Sequence, residues 1–225
     1  MPWKRSKEAM LEQDIITVLT RLALADSPLE VERNRRRASH LVGDNAVGMR
    51  QLVDALAEAS MRVHELSRLA TEDALTGLAN RRSFGRALTR ELARRRRVAG
   101  PAVLLLDLDG LKQINDTYGH AAGDEAIQRA ANACACSIRG GDLAARLGGD
   151  ELAILLPDTG LAGAERVANR VCEAIERERV RNQPLRVSLG IAVAGPDGDD
   201  EGAVLAAADN RMYEQKRRRK VKMAA

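Results

Sequence analysis

Four acidic residues in two short segments carry the chemistry open to this chain. Asp107 and Asp109 end the apolar run Pro101 to Asp109, and Asp150 and Glu151 directly follow Gly148-Gly149. The run predicts a buried strand, and residues two apart on a strand share a face, so the two aspartates emerge side by side. Carboxylates at the end of a hydrophobic strand cost free energy unless they find a partner. A divalent cation suits them, because Mg²⁺ is held by one or two carboxylates together with a substrate's own phosphates. For Asp109, capping of the next helix near Lys112 is an equal reading. The two glycines ahead of Asp150 permit a tight hairpin turn that a bulky anion can approach closely, with the adjacent acids facing it. A strand-end aspartate opposite a hairpin acid is similar to a two-metal phosphoryl-transfer site, in which ions clamp the attacking and leaving oxygens. Gly-Gly-Asp taken alone is a common turn.

The elements that must hold these acids alternate between strand and helix from about residue 71 onward. The pattern predicts a strand over Pro101 to Asp109, a helix over Ala121 to Ser137, and two short strands within Asp142 to Leu156 joined at the glycine pair. A helix over Leu161 to Glu178, a strand over Leu185 to Ala194 and a last helix over Glu201 to Arg219 follow, which makes an α/β domain with a mostly buried sheet. The first seventy residues read as helical. Leu11, Ile15, Val18 and Leu22 repeat at helical spacing, and Asp26-Ser27-Pro28 supplies an N-cap with proline in the first helical position of a second helix ending near Gly43. From Met49 a series through Leu52, Leu56, Ala59, Val63, Leu66 and Ala70 steps alternately by three and four residues, as in a heptad seam. Such a helix pairs with another helix, either in a small intramolecular bundle or in a parallel dimer stalk.

Bulk properties narrow the class. The 225 residues are 45% hydrophobic and 30% charged, a globular composition that fits one catalytic domain with a short extension. Aromatic residues make up only 2%, so aliphatic side chains and alanine must fill the core and a base-stacking platform is not expected. The formal charge of +4 suits an anionic ligand without selecting one. Cys134, Cys136 and Cys172 have no metal-ligand spacing and read as reduced, buried thiols. Without an apolar segment of membrane-spanning length or a signal peptide, a cytoplasmic protein with no membrane partner is expected. His40 and His64 read as surface helix residues. The basic run Lys216 to Lys222 has no accompanying helix-turn-helix, zinc or stacking signature, so it reads as a solvated helix end and no nucleic-acid partner is expected.

Three segments resemble, in order, the signature motifs of GGDEF-domain diguanylate cyclases. They are Asp73-Ala-Leu-Thr-Gly-Leu-Ala-Asn-Arg-Arg82, the stretch from Asp107 through Asn115 and Tyr118-Gly-His120 to Asp124, and Arg146-Leu-Gly-Gly-Asp-Glu-Leu152. Val187 to Ala192 and Ala208 to Lys216 are similar to that family's last strand and last helix. The likeness implies a GGDEF catalytic domain over 71–225 preceded by a helical sensory or dimerisation stalk over 1–70. It implies an α/β (α+β sandwich) fold in which helices flank a central, mostly antiparallel sheet, as in nucleotide cyclases and polymerase palms.

The resemblance also implies a reaction, the condensation of two GTP into cyclic di-GMP and two pyrophosphates by a homodimer. By similarity, Asp107, Asp150 and the Leu108 carbonyl ligate Mg²⁺ or Mn²⁺, with Glu151 beside the same metals. Asp150 and Glu151 are the catalytic acids, and Asp150 accepts the proton. Asn115 and Asp124 match guanine-reading positions, His120 lies in the substrate pocket, and Gly148 and Gly149 form its turn. Lys112, Lys216 and Lys220 match positions that neutralise phosphate. Arg139 and Asp142, ending six residues before Gly148, match an Arg-x-x-Asp inhibitory product site, with Arg170 as its secondary arginine. An ordinary surface ion pair, worth about 0 to 1 kcal/mol, is the plainer reading of Arg139 and Asp142. A catalytically weak domain that serves as a cyclic di-GMP receptor is the alternative function. The chain departs from the family at Leu152, where phenylalanine is usual, at Gly110-Leu111, and at Lys216-Arg-Arg-Arg-Lys220, where a Gly-Arg-Asn normally follows the first lysine. None of these removes a metal or proton-transfer residue.

Overall fold

The computed structural model describes residues 13, 14, 16–42, 47–94 and 100–224, which form two compact units, Met1–Ala70 and Thr71–Ala225. In the first, α1 (residues 16–23), α2 (Pro28–Val42) and α3 (Val47–Thr71) enclose a small core of Val18, Leu22, Val31, Ala38, Val53 and Ala57. At the start of α2, the Ser27 hydroxyl accepts the Glu30 N–H at 3.3 Å while the Glu30 carboxylate reaches back to the Asp26 N–H at 3.1 Å. This reciprocal arrangement satisfies two backbone donors that the helix itself leaves free. Gly43 and the Met49 side chain lie outside the described residues. His64 departs from the surface role expected of it: its ring meets the Ala25 carbonyl at 2.8 Å, and Ser60 donates to the Leu22 carbonyl at 3.1 Å. On α3 the buried residues are Val53 and Ala57, whereas Leu52, Val63 and Leu66 of the expected seam are 52, 65 and 65% exposed. Of the expected seam, Leu56 packs against this core half-buried, while Leu52, Val63 and Leu66 stay outside it.

The second unit is built on a five-stranded sheet. In chain order its elements are β1 (Ala79–Asn80), α4 (Arg81–Arg94), β2 (Ala102–Leu108), α5 (Leu111–Tyr118), α6 (His120–Cys136), β3 (Leu143–Gly148) and β4 (Glu151–Leu156). Next come α7 (Leu161–Arg177), the small hairpin β5 (Arg179–Val180) and β6 (Gln183–Pro184), β7 (Val187–Val193) and α8 (Glu201–Ala224). The strand order is β1-β3-β4-β2-β7, antiparallel except between β1 and β3.

Period-two alternation along the strands sorts the core into two layers. Leu104, Leu106 and Leu108 of β2 join Leu152, Ile154 and Leu156 of β4 against the alanine-rich faces of α6 and α7. Val103 and Leu105 join Ala153, Leu155 and Ala192 against Phe84 and Leu88 of α4 and Val204, Ala208 and Met212 of α8. Leu152 is fully buried in the first layer, so aliphatic neighbours occupy the space around this departure from the motif. The same alternation puts Asp107 and Glu151 on the α4/α8 side.

Helix α8 lies directly on β7. A Cβ at Gly190 would sit 1.9 Å from the Ala208 carbonyl oxygen and 2.5 Å from the Met212 nitrogen, both rigid backbone atoms. The outer edge of β7 is then covered by α8 side chains four residues apart. Arg211 donates to the Ile191 carbonyl at 2.6 Å, Gln215 accepts the Leu189 N–H, and Arg219 donates to the Val187 carbonyl at 2.6 Å. This removes an open edge that would otherwise pair with another chain. Gly190→Ala is expected to destabilise the fold by about 1 to 3 kcal/mol, the usual cost of overpacking. A thermal midpoint equal to that of the wild type would mean that α8 does not rest on this strand.

The cysteines differ from the expectation of buried thiols. Cys134 is buried, and burial pushes its thiol up to about 12, but Cys172 is half-buried and Cys136 exposed. Among the described residues no helix is long and apolar enough to cross a membrane.

Candidate active site

The site grows from the register of β2. Asp107 stands opposite Glu151 on β4 and opposite Ser188 on β7. The β3–β4 turn is closed by Gly148 at φ +148° and Gly149 at φ +53°, values that side-chain-bearing residues rarely adopt. Arg146 braces this turn, donating to the Gly149 carbonyl at 3.1 and 2.8 Å and pairing with Asp73 at 3.1 Å. Burial pushes the Asp73 carboxyl up, but hydrogen bonds from Thr76 and Arg146 outweigh it and hold the group below the usual carboxylate range. The Leu108 N–H donates to the Asp150 carbonyl at 3.2 Å, which ties the turn to the end of β2 and brings Asp150 near Asp107.

Lys216 of α8 meets this acid pair, with its Nζ 2.6 Å from Asp107 Oδ1. Burial is the main reason the Asp107 carboxyl is raised above its ordinary value, and the nearby Asp150 charge adds to it while the Lys216 bond opposes it. For Lys216 burial disfavours the charge, yet the bond to Asp107 and the fields of Asp107, Asp150 and Asp109 raise it overall, so the amine stays protonated. Glu151 turns instead to α4, where Arg81 pairs with it at 3.2 Å and donates to the Leu147 carbonyl at 2.7 Å. A cavity of about 290 Å³ lies beside this pair, lined by Arg81, Leu147, Glu151, Asp209 and Met212 among others.

Hard oxygen donors crowded enough to repel each other are what a Mg²⁺ site requires. Among the described residues no group of three or more His, Cys, Asp or Glu side chains is placed to hold an ion unaided. The Asp107–Asp150 pair therefore fits a cation that completes its shell with phosphate and water oxygens.

Around the α5–α6 junction lie Lys112, His120 and Asp124, all exposed, and Asn115. The Asn115 side-chain oxygen is buried without a hydrogen-bond partner among the described residues. It presses on Gly123, where a Cβ would come within 1.9 Å of it. An unmet buried acceptor costs about 1 to 3 kcal/mol, and a ligand N–H would relieve it.

The Arg139 to Asp142 segment closes on itself through an ion pair that is exposed at Arg139 and buried at Asp142. Asp142, 3% exposed at its side chain, accepts the Arg139 Nε–H at 2.9 Å and the Arg139 backbone N–H at 3.1 Å. Arg139 also donates to the Pro157 carbonyl at 2.8 Å, and Arg170 donates to the Ser137 carbonyl at 2.7 Å, which gathers both arginines on one turn. The side chain of Lys220 lies outside the described residues.

Three features escaped the sequence reading. Arg81 and the Asp73–Arg146 pair lie within motif segments in which no role was given to them. Asp109 does not cap α5, whose N-cap is Gly110 without a side-chain bond. Its carboxylate instead accepts the Ser188 hydroxyl at 2.8 Å and pairs with Arg219 at 3.1 Å.

A mixed sheet with helices on both faces and an acid-tipped interior strand defines a palm-like α/β domain. The model of the diguanylate cyclase GGDEF domain matches residues 70–222. Response regulator PleD of Caulobacter vibrioides is 38% identical over 161 residues, 66% of this chain and 34% of PleD. Diguanylate cyclase DgcP of Pseudomonas aeruginosa is 32% identical over 196 residues, 83% of this chain and 29% of DgcP. The chain thus spans about a third of the length of these relatives. The crystal structure of the coiled coil and GGDEF domain of DgcB from Caulobacter crescentus, in complex with c-di-GMP, superposes with a TM-score of 0.65 at 28% identity, covering 74% of this chain and 93% of that one. The chain belongs to the GGDEF domain family.

Proposed function

We propose that this chain is a diguanylate cyclase, condensing two GTP into cyclic di-GMP and two pyrophosphates in the cytoplasm. The observation that carries this reading is the meeting of Asp107, Asp150 and Lys216 beside the glycine turn at the end of β2. Asp107, Asp150 and the Leu108 carbonyl would hold Mg²⁺, with Mn²⁺ as a substitute, and Glu151 would stand beside it. The ion when bound supplies Lewis acidity at the α-phosphate and makes the attacking hydroxyl more acidic.

The chain's own groups do the rest. Asp150 accepts the proton of the 3′-hydroxyl, and the Gly148-Gly149 turn leaves room for the polyphosphate. Lys112, Lys216 and Lys220 balance phosphate charge. Asn115 and Asp124 read the guanine edge, an amide and a carboxylate being able to pair with its donors and acceptor, and His120 closes the pocket. Alignment of the two nucleotides supplies about 7 to 11 kcal/mol of the barrier reduction in well-oriented reactions of this kind.

Each domain holds one GTP, so two chains must face each other as a homodimer. The exposed Leu52, Val63 and Leu66 on α3 suit a parallel stalk that raises the effective concentration of one site at the other. The structure of DgcB, which joins a coiled coil to a GGDEF domain, supports such a role for the helical segment that precedes the domain here. Product returning to Arg139, Asp142 and Arg170 would restrain the enzyme, since a guanidinium grips phosphate or guanine in a bidentate manner. Incubation with GTP and Mg²⁺ should consume GTP and release two pyrophosphates per cyclic di-GMP. Binding of cyclic di-GMP with no consumption of GTP would instead make the chain a receptor.

A further inference from the structure

We propose that Arg219 is a positioning residue that holds the Asp109 carboxylate away from the Asp107–Asp150 acid pair. This rests on the nucleotide-binding reading above. Asp109 follows Asp107 by two residues, and its charge adds to those of Asp107 and Asp150 where a triphosphate must enter. Left free, it would repel phosphate and compete for the cation.

The structure accounts for both of its oxygens. Ser188 of β7 donates to Oδ1 at 2.8 Å, and Arg219 of α8 donates to Oδ2 at 3.1 Å. Arg219 also donates to the Val187 carbonyl at 2.6 Å, a second anchor that fixes the guanidinium over the strand. The pair is half-buried, at 33 and 22% side-chain exposure, so water screens it less than it does surface pairs. Gln215 and Arg211, one and two turns earlier, hold α8 in the register that delivers it.

Helix α8 therefore brings one cation to each strand-end acid, Lys216 to Asp107 and Arg219 to Asp109. The two are not equivalent. An ammonium on a flexible stem can swing from its acid to a phosphate, whereas a planar guanidinium hydrogen-bonded to Asp109 and the Val187 carbonyl, with Glu176 at 3.9 Å from its other end, stays in place. The run Lys216 to Lys222, which reads from sequence as a solvated helix end, thus contains an anchored residue.

The test compares wild type, Arg219→Ala, Arg219→Gln, Asp109→Asn and the Arg219→Ala/Asp109→Asn double variant. Affinity for a non-hydrolysable GTP analogue with Mg²⁺ is measured by calorimetry, alongside KM and kcat for GTP. Arg219→Ala and Arg219→Gln should each weaken analogue binding and raise KM about tenfold, with a smaller change in kcat. Asp109→Asn alone should stay within about threefold of wild type, and in the double variant it should restore both quantities to that range. A residue that merely docks α8 would leave the double variant as impaired as Arg219→Ala, which would overturn the proposal. Unchanged binding and KM in Arg219→Ala would overturn it too. If wild type binds the analogue but makes no cyclic di-GMP, the cyclase reading falls while the binding series still decides the role of Arg219. If wild type binds no analogue, both fall.

Discussion

Asp107→Asn is expected to lower the initial rate of cyclic di-GMP formation by about 10²- to 10⁴-fold, because it removes a charged oxygen from the acid pair at the end of β2. The same substitution should leave the fold intact or strengthen it. Burial and the Asp150 charge, opposed by the Lys216 bond, leave the Asp107 carboxyl above its ordinary value, so folding makes its ionisation harder than it is in the unfolded chain. An acid of this kind contributes stability below its unfolded value and loses that contribution as pH rises through its folded value. Wild type should therefore lose thermal midpoint across that window in metal-free buffer, while the asparagine variant should not. Loss of activity at constant or raised stability is the pattern of a strained functional group rather than a structural one. A variant within tenfold of the wild-type rate would remove Asp107 from the chemistry.

Arg139→Ala is expected to raise the cyclic di-GMP concentration needed for half-inhibition by about 10- to 100-fold, the range of a charge-assisted hydrogen bond of about 1.5 to 3 kcal/mol. The initial rate at low product should change little, because the hydrogen bonds of the Arg139 side chain go to Asp142, Pro157 and Thr159, away from the acid pair at the end of β2. Progress curves give both quantities from one experiment. They should run straight in the variant where the wild-type curve bends over. Identical curvature would return Arg139 and Asp142 to the status of an ion pair that closes a turn.

What the sequence shows and what it hides follow from the range of the forces involved. The β2 run, the glycine turn and the helices α6, α7 and α8 carry strong local periodicity, so their order and the positions of Asp107 and Asp150 were legible in advance. Helix α4 was not, because only Phe84, Ala87 and Leu88 of its fourteen residues are buried and the rest are mostly polar. The two-residue strands β1, β5 and β6 are too short to show any period. In α3 the heptad spacing was visible, but Val53 and Ala57, which pack the core of the first unit, lie beside that series. Two apolar stripes on one helix cannot be ranked from spacing alone.

The site was readable where a motif names a residue and unreadable where two distant charges meet. Asp109 was equally plausible as a helix cap, and its partner Arg219 lies 110 positions away in a run with no pattern of its own. Arg81 and Glu151 are separated by 70 positions, Asp73 and Arg146 by 73. Such pairs depend on the sheet order, which sets the ends of non-adjacent segments side by side.

The most direct measurement of the central claim is mass spectrometry of the products formed from GTP and Mg²⁺ by wild type and Asp150→Ala in parallel. The roles assigned to the acid pair require cyclic di-GMP from the wild type and none above background from the variant, with both proteins melting as folded domains. Cyclic di-GMP from both proteins, or from neither, would contradict the mechanism.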